Sequence, residues 1–254
     1  MLNINLFKFC SFLRVFGYLM ILLFAAIVSL TYYAVVFVTW GPLLFPSFSF
    51  LAFFILLIFH TLLVLLTWSY SMAVLKDPVP PTSGEFEEEV AVATATSSVG
   101  YCTRCQSARP PRCHHCSICQ RCVLKMDHHC IWVVNCVGAR NYKYFLLFLL
   151  YTFLETTLVC LALIPNFIRF FGGTNSTKTH KLSPGAFSAI FLTSILNLAF
   201  ALSLLCFVVM HLSLLLSNTT SVEVHEKKKG IRWRYDLGRK KNFEQIFRAY
   251  KLQD

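Results

Sequence analysis

No Asp, Glu, Lys or Arg occurs from residue 15 through residue 75, and none from residue 182 through residue 222. Only 14% of the chain is charged, whereas an ordinary soluble domain carries about a quarter. These absences exclude a soluble globular protein, whose solvated surface would interrupt both runs. They also argue against a nucleic-acid partner. The formal net charge of +11 is split by apolar stretches rather than gathered into one basic domain. A bilayer span takes about 20 apolar residues. The first run is long enough for two spans, broken at "GPLLFPSF" (41–48), where Gly and Pro favour a turn. The second run holds one span, roughly 187–216. A fourth, roughly 144–166, contains a single acid, Glu155. The expected fold class is an all-α polytopic membrane protein with four transmembrane helices. Lys8 and Arg14 precede the first apolar stretch as in a signal peptide. That stretch is too long for such a peptide and no clear small-residue cleavage site follows, so a retained first helix is expected.

Twenty of the 23 Lys and Arg lie in the N-terminal segment, the loop 76–143 and the tail 217–254, and three lie in the loop 165–186. The positive-inside rule therefore puts both termini and the long loop in the cytosol, beside an anionic leaflet. "NST" at 175–177 has the form of a glycosylation acceptor at Asn175 on the lumenal side. It lies so close to the membrane that an unmodified polar turn is the competing reading. The loop divides in two. Residues 77–100, with "PVPPTSG" and "EFEEE", sustain no helical or strand period and read as a flexible linker. Residues 101–143 are dense in Cys and His. The expected organisation is 1–76 (N-terminal segment and helices 1 and 2), 77–100 (linker), 101–143 (cysteine-rich domain), 144–216 (helices 3 and 4) and 217–254 (basic tail).

Eight of the eleven cysteines fall between Cys102 and Cys136. Cytosolic thiols stay reduced, so metal or catalysis is expected before disulfides. Cys102, Cys105, His115 and Cys122 are spaced C-x2-C-x9-H-x6-C. Cys116, Cys119, His129 and Cys136 repeat that spacing fourteen residues later. Each set is a complete Cys3His site for a structural zinc, preferred over iron on ligand type. The two sets interleave, so each metal ties down the segment feeding the other and supplies folding energy to a loop with little apolar core. A four-ligand site has no open position, so these zincs are expected to be structural.

The repeat leaves Cys113, His114, His128 and Cys130 outside both quartets. In "DHHC" (127–130), Asp127, His128 and Cys130 have the parts of an orienter, a base and a thiol nucleophile. The bland alternative is that Cys130 is a spare ligand. Cys113 reads as a bystander or a site of regulatory modification. For Cys10, Cys160 and Cys206, near or within spans, packing is the default, with lipidation of Cys10 the alternative. A thiol held at the bilayer face suits a substrate with a polar head and an apolar tail, and a long-chain acyl-coenzyme A is one.

The stretch "GYCTRCQSARPPRCHHCSICQRCVLKMDHHCIWVVNCVGARNYKYF" (100–145) closely resembles the cysteine-rich core of DHHC protein S-acyltransferases, the palmitoyltransferases, and is most similar to plant members. Two helices, this core, two more helices and a basic tail also follow the family's order. The resemblance implies four transmembrane helices with a cytosolic zinc-bound domain between helices 2 and 3. It implies two structural zincs and the same eight ligands. It implies autoacylation of Cys130 from palmitoyl-coenzyme A or another long-chain acyl-coenzyme A, with His128 as base and Asp127 as its orienter. Transfer to membrane-proximal cytosolic cysteines of substrate proteins would follow. Supporting motifs are matched by Asp77 and Pro78 (with Val79 where the family has Gly), by Thr220, Ser221 and Glu223 (with Ser for a Thr), and by Asn242 in "YDLGRKKNFEQIF". Ile131 stands where many members have Pro.

Glu155 falls near mid-membrane, where acids are costly and usually face the bundle interior. It either lines an acyl-chain cavity, protonated or hydrogen-bonded, and affects preferred chain length, or makes a helix–helix hydrogen bond. Trp132 either packs on the thioester end of the acyl chain or supports the module. Arg121, Lys125, Arg140 and Lys143 are candidates for the coenzyme A phosphates, with ordinary surface positions as the alternative. His60 and His211 have no ligand-like spacing and read as polar packing. Two rival classes remain. A zinc-organised membrane adaptor would have no need of Asp127, His128 and Cys130 together. A transporter would show broken helices paired across a repeat. Golgi, endomembrane or plasma membrane is the expected location.

Overall fold

The computed structural model describes residues 6–45, 48–78, 100–171, 183–225, 233 and 235–247. Most of the linker, Asn175 and the rest of the tail lie outside them, as do the side chains of residues 6–14. Among the described residues four helices are long and apolar enough to cross a membrane, over Val15–Leu44, Phe50–Leu75, Tyr142–Arg169 and Pro184–Leu216. Helix α1 (Leu6–Tyr32) continues as a π-helical segment, Tyr33–Trp40, and a 3-10 turn, Gly41–Leu44. Gly41 is required there, because a Cβ would lie 2.2 Å from the Val36 carbonyl oxygen. Helix α2 is Phe50–Leu75, α3 is Tyr142–Phe171 and α4 is Pro184–Leu216. Their flanks leave large hydrophobics such as Leu22, Phe54, Leu161 and Leu202 exposed, which is the surface a lipid solvent requires.

The chain forms two compact units, residues 22–68 with 147–208 and residues 1–21 with 69–146 and 209–254. The first is a helical core of Ala34, Val35, Trp40, Ala52, Leu56, Phe59, Val159, Ala162, Leu163 and Ile190. Small residues where helices meet let backbones approach where lipid offers no hydrophobic drive. Polar side chains add specific links. Trp40 Nε1 donates to the Ala162 carbonyl at 3.2 Å, and Asn197 Nδ2 to Thr31 Oγ1 at 3.0 Å. His60 Nδ1 donates to Leu56 O at 2.7 Å, which leaves Nε2 to accept from the Tyr32 hydroxyl at 3.3 Å. His60 is thus polar packing between helices.

The second unit holds three antiparallel hairpins, which the sequence pattern does not predict. They are β1–β2 (Gly100–Cys102, Ser107–Arg109), β3–β4 (Cys113–Cys116, Arg121–Leu124) and β5–β6 (His128–Cys130, Asn135–Val137). Cys102 pairs with Ser107, Cys116 with Arg121 and Cys130 with Asn135, each pair fourteen residues after the last. The turns repeat as well: Gln106, Gln120 and Val134 all adopt positive φ, at 50°, 56° and 51°. The fourteen-residue period of the ligands is therefore a period of the backbone.

Two asparagines seat the hairpins on the end of α2. Asn135 Nδ2 lies within 3.0–3.3 Å of the carbonyls of Ala73, Val74 and Lys76. These are orphan acceptors of a helix C-terminus. Asn141 Nδ2 donates to Cys136 O at 2.8 Å and its Oδ1 accepts from Gly138 N at 2.9 Å. Gly138 allows this closeness, because a Cβ there would sit 2.7 Å from Val123 Cγ1. The Tyr70 hydroxyl donates to Trp132 O at 2.9 Å.

Candidate active site and metal centres

The two quartets read from spacing are assembled in space. Cys102, Cys105, His115 and Cys122 bring four ligand atoms within 4.8 Å of one another, and so do Cys116, Cys119, His129 and Cys136. A tetrahedral zinc with Zn–S about 2.3 Å and Zn–N about 2.0 Å holds its ligand atoms roughly 3.5–3.8 Å apart. In the second set Cys119 and Cys136 Sγ lie 3.4 and 3.6 Å from His129 Nδ1, and 3.5 Å from each other. In the first set Cys105 Sγ is 3.1 Å from His115 Nδ1 and 3.6 Å from Cys122 Sγ. Both donor sets fit the ion, with Nδ1 facing the site each time. The hairpin turns explain how: C-x2-C places one thiol at the end of a strand and the other in the turn.

Cys113 and Cys130 are not in either group. Cys113 is buried, and burial pushes its thiol up to about 11, which makes it unreactive. Cys130 has a different setting. It ends β5 in the register that Cys102 and Cys116 occupy in the other hairpins, but the third repeat has Val133 where those have a second cysteine. The third hairpin is thus an incomplete metal half-site with one thiol free of a quartet.

Asp127 and His128 precede that thiol. The Asp127 carboxylate is buried, and its Oδ2 lies 2.7 Å from His128 Nδ1. Ser221 completes its shell, donating N–H to Oδ1 at 2.8 Å and its hydroxyl to Oδ2 at 2.6 Å. Burial pushes the Asp127 carboxyl up, but hydrogen bonds from His128 and Ser221 outweigh it and hold the group below the usual carboxylate range. Burial pushes His128 down, but Asp127 and Cys130 together raise it to about 9. Burial likewise raises Cys130, and the hydrogen bond and charge of His128 bring it below an ordinary thiol, helped by the Trp132 and Val133 amides. The three side chains are linked in charge: the Asp127 carboxylate favours the imidazolium of His128, and the imidazolium favours the thiolate of Cys130.

The supporting residues are placed as follows. Ser221 stands where the family pattern has Thr, and its hydroxyl makes the shortest bond to Asp127. Thr220 and Glu223 cap the turn that carries it. Asn242, on helix α5 (Arg239–Phe247), donates to Leu216 O and to Asp236 Oδ1, both at 2.7 Å. Pro78 is buried and Asp77 exposed, the latter 2.9 Å from Arg121 Nη1. Lys143 Nζ lies 4.9 Å from the Tyr144 ring centroid. Lys125 is half-buried with positive φ, and its ammonium is pushed down to about 8 by burial and then by Arg112. Trp132 and Arg140 are half-buried.

Several site residues had no sequence signal. His211 is buried, with its ring centroid 6.1 Å from that of His128 and 5.2 Å from that of Phe145. Its Nδ1 pairs with the Tyr142 hydroxyl at 3.3 Å. Its polar-packing assignment stands, but the packing is against the candidate base. Arg112, which no sequence reading singles out, is bound to Glu223 through Nε at 2.6 Å and Nη2 at 2.7 Å. Glu155 lies in the other unit, buried, with neither carboxylate oxygen partnered among the described residues.

A family profile described as DHHC palmitoyltransferase matches residues 96–228. Probable protein S-acyltransferase 12 of Arabidopsis thaliana is 57% identical, across 96% of this chain and 87% of its own length. Probable protein S-acyltransferase 13 of the same plant is 48% identical, across 98% and 87%. Palmitoyltransferase ZDHHC20 of Homo sapiens is 36% identical across 56% of this chain and 47% of its own length.

Proposed function

This chain belongs to the DHHC palmitoyltransferase family, and from that premise we propose that it acylates itself on Cys130 and passes the acyl group to cysteines of other proteins. It is a multi-pass membrane protein S-acyltransferase. The observation that carries the site assignment is the hydrogen-bonded run Ser221–Asp127–His128 leading to a thiol that no quartet claims.

The steps follow from the geometry. Cys130 Sγ, as thiolate, attacks the thioester carbonyl of a long-chain acyl-coenzyme A such as palmitoyl-coenzyme A. A new S–C bond forms, the bond to the coenzyme A sulfur breaks, and His128 gives that sulfur its proton. His128, now neutral, takes the proton of a substrate cysteine. The new thiolate attacks the Cys130 thioester, and Cys130 leaves as thiolate beside the re-formed imidazolium. Asp127 keeps the proton of the imidazole on Nδ1 and stabilises the cationic form. Thioester-to-thioester exchange is close to balanced, so neither step needs a further energy source. The two quartets would hold zinc ions whose contribution is to fold and stiffen the hairpins.

The charge distribution supports a cytosolic site with both termini on the same side. Substrates would then be proteins with membrane-proximal cytosolic cysteines, with Golgi, endomembrane or plasma membrane as the setting. Arg121, Lys125, Arg140 and Lys143 remain the candidates for the coenzyme A phosphates, with Arg121 also paired to Asp77 at 2.9 Å and Lys143 over the Tyr144 ring. Trp132, next to the nucleophile, is assigned to the thioester end of the acyl chain. Glu155 is assigned to acyl-chain selection, supported by its burial without a partner among the described residues.

Purified protein given labelled palmitoyl-coenzyme A tests this reading. The wild type should acquire hydroxylamine-sensitive label and Cys130→Ser none, with both holding two zincs. An unlabelled wild type that retains its zinc would turn the assignment toward a non-catalytic adaptor.

A further inference from the structure

Arg112 lies outside the motif that carries the chemistry, yet it is among the most heavily bonded side chains of its unit. It sits in the left-handed region, with φ 65°, one residue before β3. Its side chain is 11% exposed and the Glu223 side chain 1%. Nε and Nη2 donate to the two carboxylate oxygens of Glu223, Nη1 donates to Asn218 Oδ1 at 3.1 Å, and Nη2 also reaches Asn218 O at 3.0 Å. The guanidinium carbon lies 4.5 Å from the Tyr235 ring centroid. A fork so occupied is not a free cation for a phosphate. It is a bidentate clamp of the kind only Arg provides.

What it clamps is the turn that holds Asp127. Thr220 and Glu223 form a reciprocal cap. Thr220 N donates to Glu223 Oε2 at 2.9 Å, and Thr220 Oγ1 accepts from Glu223 N at 3.4 Å. Ser221, between them, aims its amide and hydroxyl at the Asp127 carboxylate. Asn218, the clamp's other end, donates to Tyr235 O and Gln245 Oε1, both at 2.8 Å, and accepts Trp233 Nε1 at 3.1 Å on its carbonyl. The hairpin segment thus grips the turn after α4 at two points, Arg112 on Glu223 and Asp127 on Ser221. Without the first grip, the turn carrying the two Ser221 donors loses one of its two holds on the hairpin segment, and the buried Glu223 carboxylate loses its guanidinium partner.

We propose that Arg112 is a positioning residue for acyl transfer, which fixes through Glu223 and the Thr220–Ser221 turn the two donors that orient Asp127 toward His128. The inference rests on the assignment of Asp127 and His128 made above. It concerns turnover rather than substrate capture. An interaction that orients the reacting groups lowers kcat when lost, whereas loss of uniform binding raises KM.

The test uses the full-length protein in bilayer discs, with the rate of autoacylation measured against labelled palmitoyl-coenzyme A concentration, its maximal rate standing for kcat and its half-saturating concentration for KM, and zinc content for each variant. Arg112→Ala is expected to lower kcat roughly tenfold or more, the scale for losing an outer-shell partner, with KM little changed and two zincs retained. Arg112→Lys, which keeps the cation but not the fork, is expected to fall between it and wild type. Arg112→Ala with Ser221→Ala should be no slower than the worse single variant by more than about twofold, because coupled sites are not additive. Three results overturn the proposal: unchanged kcat in Arg112→Ala, a rise in KM alone, or independent losses that multiply in the double variant. If Arg112→Ala sheds zinc, Arg112→Lys decides. A lowered kcat with both zincs retained supports positioning, whereas wild-type kcat or lost zinc overturns it. Asp127→Asn separates the two levels. If that variant is as fast as wild type, the acid–base reading fails. If it is slow and Arg112→Ala is not, only the role of Arg112 fails.

Discussion

The hairpin over residues 113–124 and the hairpin over residues 128–137 carry the same triplet, His-His-Cys, on equivalent strand positions. In the first, Cys116 belongs to a quartet with Cys119, His129 and Cys136. In the second, Cys130 belongs to none. The difference lies three residues to either side of the triplet's cysteine. After the triplet, Cys119 in the first turn becomes Val133 in the second, so no second thiol closes a site. Before it, Cys113 becomes Asp127, so an acid reaches the first histidine of the triplet. One scaffold thus yields a quartet ligand or a thiol outside both quartets behind an Asp–His pair, according to two flanking residues. Zinc held by the two quartets would give that thiol a rigid mount without a large apolar core.

The largest effect should come from exchanging the roles tested on each hairpin. Cys130→Ser is expected to abolish acyl-enzyme formation while zinc stays at two per chain. Cys116→Ser is expected to lose one zinc, and with it the fold of the module, since structural zinc supplies folding free energy directly. Zinc analysis beside labelling distinguishes them. Loss of metal from Cys130→Ser would show that the hairpins do not divide their labour.

Asp127→Asn should come next, with a loss of roughly 10²- to 10⁴-fold, the upper end being the cost of the wrong tautomer in a comparable constellation. The wild-type rate should rise with pH through the depressed pKa of Cys130, as the thiolate forms. It should decline above about 9, where His128 surrenders the proton it gives the leaving sulfur. Removing the carboxylate lets the His128 pKa fall and the Cys130 pKa climb. The rising limb should therefore move to higher pH in Asp127→Asn. A rising limb that stays in place would sink the charge-chain description of the site.

Smaller still, Asn135→Ala removes the donors from three carbonyls at the end of α2. It should cost about 1–3 kcal/mol, the scale for stranding buried acceptors. Asn135 occupies in the third hairpin the place of Arg121 in the second, opposite the triplet's cysteine. Arg121→Ala, which breaks only an exposed pair with Asp77, should change stability by less than about 1 kcal/mol. Thermal unfolding of the two variants in detergent makes the comparison directly.

The spans and quartets were legible because each leaves a periodic or compositional trace. Charge vanishes over whole segments, and the ligand spacing recurs at fourteen residues. The hairpins carry neither signal. Their strands are three or four residues long, too short for alternation to show, and their buried apolar cluster is small, with Val123 and Met126 among quartet cysteines. Arg112, Asn135 and Asn141 were missed for another reason. Each works through a partner distant in sequence, such as Glu223 for Arg112 or Ala73 for Asn135, and nothing local marks such a pair. Ser221 was legible only as a departure from a family pattern. Its hydroxyl on Asp127 shows why the departure is tolerated, since Thr and Ser offer the same donor.

The two units invite a last contrast. In the hairpin unit Asp127 is buried with three hydrogen bonds to its carboxylate oxygens. In the helical unit Glu155 is 5% exposed and no described Ser, Thr or Tyr reaches either of its oxygens. A polar group with no partner in such a place costs stability, so replacing it with an apolar residue should not harm the fold. Glu155→Ala is accordingly expected to express and unfold like wild type and to change the order of preference among acyl-coenzyme A chain lengths by a few-fold, the scale of one or two methylenes in an apolar pocket. Autoacylation measured across a series of chain lengths tests it. An unchanged profile with unchanged stability removes Glu155 from chain selection, and a lower melting temperature returns it to helix packing.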